Sequence, residues 1–101
     1  MDRDQARASV IEQLRRRSVG GEEGVTIIES MTIEKPYGWI FFYNSRRYVE
    51  TGELAYALIG QGPVIVLCDT GEIIETGSRY PSEVTIRMME EARGLDAQAR
   101  K

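Results

Sequence analysis

The chain has 101 residues, 42% hydrophobic and 29% charged, with a formal net charge of -3. That is the balance of one small folded domain over residues 1–101. It argues against disorder and, through its acidic sign, against a nucleic-acid partner. The absence of histidine and the single cysteine, Cys68, exclude an internal disulfide, His-based catalytic triads and His- or Cys-rich metal sites.

Residues 3 to about 18 read as a helix. Ala6, Val10 and Leu14, joined by Ile11, recur at helical spacing. Asp2 or Asp4 suits its N-terminus, and Arg15, Arg16 and Arg17 suit its carbonyl end. Gly20-Gly21 is the expected stop. The three arginines point in different directions around the helix, so they read as a solvated helix end and not a phosphate patch. The charged N-terminus Met1-Asp2-Arg3-Asp4-Gln5 leads into no apolar stretch of signal-peptide or membrane-span length. The expected compartment is the cytoplasm, with no membrane partner.

After the loop Glu22-Glu23-Gly24, residues 25–34 read as one strand. Val25, Ile27, Met31 and Ile33 share a face that Glu29 interrupts. Glu29 there marks an edge, a bulge or a functional carboxylate. Lys35-Pro36-Tyr37-Gly38 is a turn. Residues 39–45 form the next strand, with Trp39, Phe41 and Tyr43 on one face and Ile40 and Phe42 on the other. Residues 46–60 read as strand, helix or loop. An ordered loop is favoured, because Glu53 to Ile59 has helical composition but too little length.

Residues 63–68 form a buried strand of mostly β-branched residues that includes Cys68. Asp69-Thr70-Gly71 is a hairpin turn and residues 72–76 the partner strand. Pro81-Ser82-Glu83 opens a second helix. Its expected stripe is Val84, Met88, Ala92 and Leu95, widened by Ile86 and Met89. Gly94 ends it, and residues 95–101 are expected to fray. The fold class is therefore α+β: an antiparallel four-stranded sheet, open to one more short strand, with N- and C-terminal helices in the order α-β-β-β-β-α. Both helices are expected on one face, leaving the other polar-leaning.

The chemistry-bearing residues form no recognisable catalytic set. Glu50, Glu53, Glu72 and Glu75 are paired acids of the kind sheet surfaces carry in solvent. Gly60-Gln61-Gly62-Pro63 runs into a strand, so no helix N-terminus receives a phosphate. Aromatics beside Arg46 and Arg47 would stack single-stranded nucleic acid, but the charge balance opposes it. Tyr43, Arg46, Arg47, Tyr48, Tyr56 and Tyr80 are the residue types enriched at protein-binding hot spots. With Glu50 and Glu53 as an acidic rim, they are the candidate partner-binding residues.

The run Gly38-Trp39-Ile40-Phe41-Phe42-Tyr43-Asn44-Ser45, then Tyr48 to Gly52, Ala57-Leu58-Ile59-Gly60-Gln61-Gly62-Pro63, Asp69-Thr70-Gly71-Glu72-Ile73 and Gly77-Ser78 before Pro81-Ser82-Glu83, resembles the immunity protein 35 family, also called the YrhB domain. The resemblance covers nearly the whole chain. It implies a bacterial immunity protein of a polymorphic toxin system that binds and neutralises a cognate toxin. Papain-like peptidase toxins are among the implied partners. It implies no enzyme activity, no catalytic residues and no cofactor. A chaperone-like holdase, acting through Leu54 to Ile59, is the alternative. Self-pairing as a homodimer is open through an exposed edge strand.

Overall fold

A computed structural model describes residues 1–95. Helix α1 spans Arg3–Arg16, followed by strands β1 (Val25–Ile27), β2 (Ile33–Lys35), β3 (Gly38–Phe41) and β4 (Tyr43–Ser45). Then come helix α2 (Arg46–Thr51), strands β5 (Gln61–Leu67) and β6 (Ile73–Gly77), and helix α3 (Ser82–Ala92). The main sheet has the order β2-β3-β5-β6 with antiparallel neighbours, and β1 and β4 form a separate two-stranded pair.

The α+β class, the four-stranded sheet and the terminal helices match the expectation. The layering does not. α1 and α3 cover opposite faces of the sheet, because the central strands are apolar on both sides. Trp39, Phe41, Val64 and Val66 meet Ala6, Val10 and Leu14 of α1. Ile40, Ile65 and Leu67 meet Ile86 and Met89 of α3. β5 is thus a continuous apolar run, as a strand covered twice must be.

α1 starts on a capping box. The Asp2 carboxylate accepts from the Gln5 backbone N–H at 2.8 Å, and the Gln5 side chain accepts from the Asp2 N–H at 2.9 Å. It stops earlier than the glycines suggested. Ser18 takes a left-handed φ of +56°, and the Ser18 and Val19 N–H groups return to the carbonyls of Arg15 and Leu14. The three arginines find carboxylates. Arg15 and Arg16 pair with Glu12, whose carboxyl the Arg15 hydrogen bond holds down at about 2. Arg17 and Gln13 both reach Glu75, which ties α1 to β6.

The single strand expected over 25–34 is broken. Glu29–Met31 form a 3-10 turn, and Glu29 is exposed and paired with Arg7 on α1 at 2.6 Å. The carboxylate sits in solvent because the chain bends there. The strand expected over 39–45 is also split. At Phe42 it leaves the main sheet and becomes β4; the Phe42 carbonyl accepts from the Ile28 N–H at 2.8 Å. Gly38 opens β3 at φ +154°, where a Cβ would overlap the Val66 carbonyl oxygen. Only glycine lets β3 close onto β5 at that point.

α3 has a different register from the expected stripe. Ile86 and Met89 are buried, Val84 is half-buried, and Met88 and Ala92 are exposed. Leu95, given by sequence both to the stripe and to the fraying tail, is buried in the α3 cluster, and its N–H bonds to the Glu90 carbonyl. The rest of that tail lies outside the described residues. Cys68 is half-buried just past β5, with its Sγ 3.8 Å from the Pro36 carbonyl.

Polar contacts clamp α3 to the sheet. Arg93 pairs with Glu72 at 2.8 Å, and the buried Tyr37 hydroxyl donates to Glu90 at 2.7 Å, with Lys35 3.4 Å away. Burial, then the Glu90 carboxylate, pushes the Tyr37 phenol well above its ordinary range. A raised folded-state value means that the contribution is fully present below pH ~10, where an unfolded tyrosine titrates, and is lost as pH rises beyond it. Tyr37→Phe is expected to cost about 1.5–3 kcal/mol at neutral pH, the range for a bond to a charged group. It should also flatten the alkaline loss of stability. Urea unfolding between pH 8 and 11 measures both; a variant whose alkaline loss is as steep as the parent's would refute the role.

Candidate partner-binding surface

Six of the eight candidate residues gather on one segment, residues 46–60. Its construction starts at Ser45, the last residue of β4. The Ser45 hydroxyl accepts from the Tyr48 N–H at 3.0 Å and so caps α2. The same hydroxyl donates to the Tyr56 carbonyl at 2.5 Å. Asn44 works beside it: its side-chain oxygen accepts from the Leu58 N–H at 2.7 Å. α2 is six residues long and ends on Gly52, at φ +74°, whose N–H returns to the Tyr48 carbonyl at 2.7 Å. A 3-10 turn, Leu54–Tyr56, follows. The segment expected as an ordered loop is therefore a short helix, a turn and a return.

Arg47 sits over the Tyr56 ring, 4.4 Å from its centre, and reaches Glu23 at 3.1 Å. Arg46 donates to the Glu23 carbonyl at 3.3 Å. Tyr48 is half-buried, while Glu50 and Glu53 are exposed. Tyr56 is 38% exposed. The two remaining candidates lie elsewhere. Tyr43 is buried under α1, so its ring belongs to the core; burial, then the charge of Glu75, raises its phenol above the ordinary range. Tyr80 is exposed on the loop between β6 and α3, beside Arg79.

Sequence reading gave Leu54 to Ile59 to the alternative holdase surface, not to the candidate contact residues, and missed Val49. Leu54 is 79% exposed, Ile59 94% and Val49 44%. Leu58, between them in sequence, packs against the core. The available signal was the pair of glycines, Gly52 and Gly60, bracketing a run too short to bury all its apolar residues. A recess of about 230 Å³ adjoins the segment, between the end of α1 and the Gly20–Gly24 turn. Arg15 and Arg46 line it together with Glu22 and Glu23, so it carries both signs of charge. Among the described residues no group of three or more Cys, Asp or Glu is placed to hold a metal ion, and no helix is long and apolar enough to cross a membrane.

A Uncharacterized protein YrhB of Escherichia coli (strain K12) is 41% identical over 46 residues, covering 46% of this chain and 49% of that protein. The match thus spans about half the length of that curated relative. No solved structure matches the chain. A family model described as Immunity protein 35 matches residues 4–91, from α1 to the end of α3, and the chain belongs to that family.

Proposed function

We propose that this protein neutralises one cognate bacterial toxin by binding it and occluding its surface, with no bond made or broken. Membership of an immunity-protein family is the observation that carries the reading. The segment 46–60 supports it, because its backbone is pinned at Tyr48, Tyr56 and Leu58 while most of its other side chains are exposed. A surface already in shape loses little conformational entropy on docking. Arg46, Arg47, Tyr48, Glu50, Glu53 and Tyr56 are the contact residues on this reading, with Tyr80 on a second loop. Papain-like peptidase toxins are the first partners to test. The proposed compartment is the cytoplasm, where the unpaired Cys68 thiol stays reduced.

The test uses the toxin encoded by the adjoining gene. A one-to-one complex at micromolar concentration and loss of toxicity on co-expression are the expected results. Undiminished toxicity with no complex would end the proposal. The exposure of Leu54 and Ile59 favours one second reading, a chaperone-like holdase. That activity would suppress aggregation of several unrelated heated proteins and show no single tight partner.

A further inference from the structure

The most exposed apolar side chains of the described residues are Ile59 and Leu54, at 94% and 79%. Both stand on the segment whose backbone is held most deliberately. Ser45 fixes one side of the 54–56 turn, Asn44 fixes Leu58, and Leu58 anchors the return in the core. Two large aliphatics on one short segment with a pinned backbone gain little from burial within this chain. Their placement has a use only when something covers them.

The charges around them identify what does. Of the segment's two arginines, Arg47 is paired with Glu23 over the Tyr56 ring, and Arg46 donates to the Glu23 carbonyl and keeps its charge. Among the described residues, Glu50 and Glu53 make no ion pair. The segment therefore carries two exposed aliphatics and two exposed carboxylates without an ion-pair partner. Free carboxylates at Glu50 and Glu53 oppose docking onto an anionic lipid surface or nucleic acid. They also oppose docking onto a second copy, since self-association would set these glutamates near one another. We infer that this segment is the toxin-docking surface, with Leu54 and Ile59 as anchors. Its partner is a folded toxin face with apolar pockets bordered by Lys and Arg. The inference rests on the toxin-neutralising reading and adds to it the place and chemistry of contact. Tyr56, covered by Arg47, supplies the aromatic and Arg pairing common at such sites.

Three proteins are compared with the parent against the adjoining gene's toxin by calorimetry and stopped-flow: Leu54→Asp/Ile59→Asp, Glu50→Lys/Glu53→Lys, and Met88→Asp as the control. Met88 is exposed on α3, across the sheet from α1. The aliphatic pair is expected to weaken binding about 100-fold or more, as loss of two central anchors does. The charge reversal should slow association about 10-fold at low salt, with the difference fading as salt rises. The control should bind as the parent does. Circular dichroism checks that each variant is folded, and Leu54→Ser/Ile59→Ser replaces the Asp pair should that one unfold. A folded aliphatic double variant that binds within threefold of the parent overturns the inference while leaving the toxin-neutralising reading intact. A parent protein that forms no complex overturns both. Sedimentation giving a parent dimer that the Asp pair dissolves assigns the patch to a second copy and overturns it too. So does a patch-dependent suppression of aggregation across unrelated proteins.

Discussion

Truncating Phe41 to Ala is expected to cost about 4 kcal/mol of stability and to lower the melting temperature by roughly 15–30 °C. Phe41 is fully buried and heads the largest enclosed side chains. It lies in β3, between β2 and β5, and packs in the same cluster as Ala6, Val10 and Leu14 of α1. Collapse into the space is limited, because α1 is tied down by Arg7 on Glu29 and by Gln13 and Arg17 on Glu75. Against a total of about 5–15 kcal/mol for a domain of this size, the loss is a large fraction. Phe42→Ala is the informative partner experiment. Phe42 is half-buried at the corner where the strand changes sheets. Its removal should cost about half as much or less. Urea and thermal unfolding followed by circular dichroism measure both. Equal losses at the two positions would mean that the sheet faces are wrongly assigned.

Those two phenylalanines show where sequence reading succeeds and where it stops. Alternation along 39–43 separated the two faces of the strand, and the unbroken Val64 to Leu67 run marked a buried strand. The helices were legible from three- and four-residue spacing. The order of layers was not drawn from this, although apolar residues on both faces of β3 required a helix on each. Strand breaks were hidden for another reason. Glu29 interrupts the apolar face, but the sequence does not show that the bend there places it against Arg7, a contact 22 residues away. In α3, Val84, Met88 and Met89 are all apolar, so composition could not choose the face; the position of β5 does. α2 was unreadable because Tyr48 and Val49 favour strands and six residues nucleate a helix poorly. It exists because Ser45 caps it and Gly52 ends it. Most of the candidate contact residues were found by residue type. Leu54 and Ile59 were not placed on that surface, since exposure is a property of the folded chain and not of the residue.

Ser45→Val is expected to cost about 2–4 kcal/mol and to weaken toxin binding without altering any residue proposed to touch the toxin. Ser45 is 7% exposed, and one hydroxyl serves as acceptor for Tyr48 and donor to Tyr56. Valine has the shape of threonine, one heavy atom more than serine, and removes both bonds, leaving a helix N–H and a carbonyl without partners in a place water reaches poorly. The strand ladder should survive, because Ser45 pairs with Val25 through its backbone. What loosens is the 46–60 segment, whose Leu54 and Ile59 then lose their fixed spacing. Ser45→Thr retains a hydroxyl and should retain both stability and binding. Hydrogen exchange reads the local effect directly: the Tyr48 and Leu58 amides should lose protection in the valine variant, while amides of β3 and β5 lose only what the global loss dictates. If the valine variant binds the toxin as tightly as the parent with the Leu58 amide still protected, preorganisation of this segment by Ser45 is not what gives the surface its affinity.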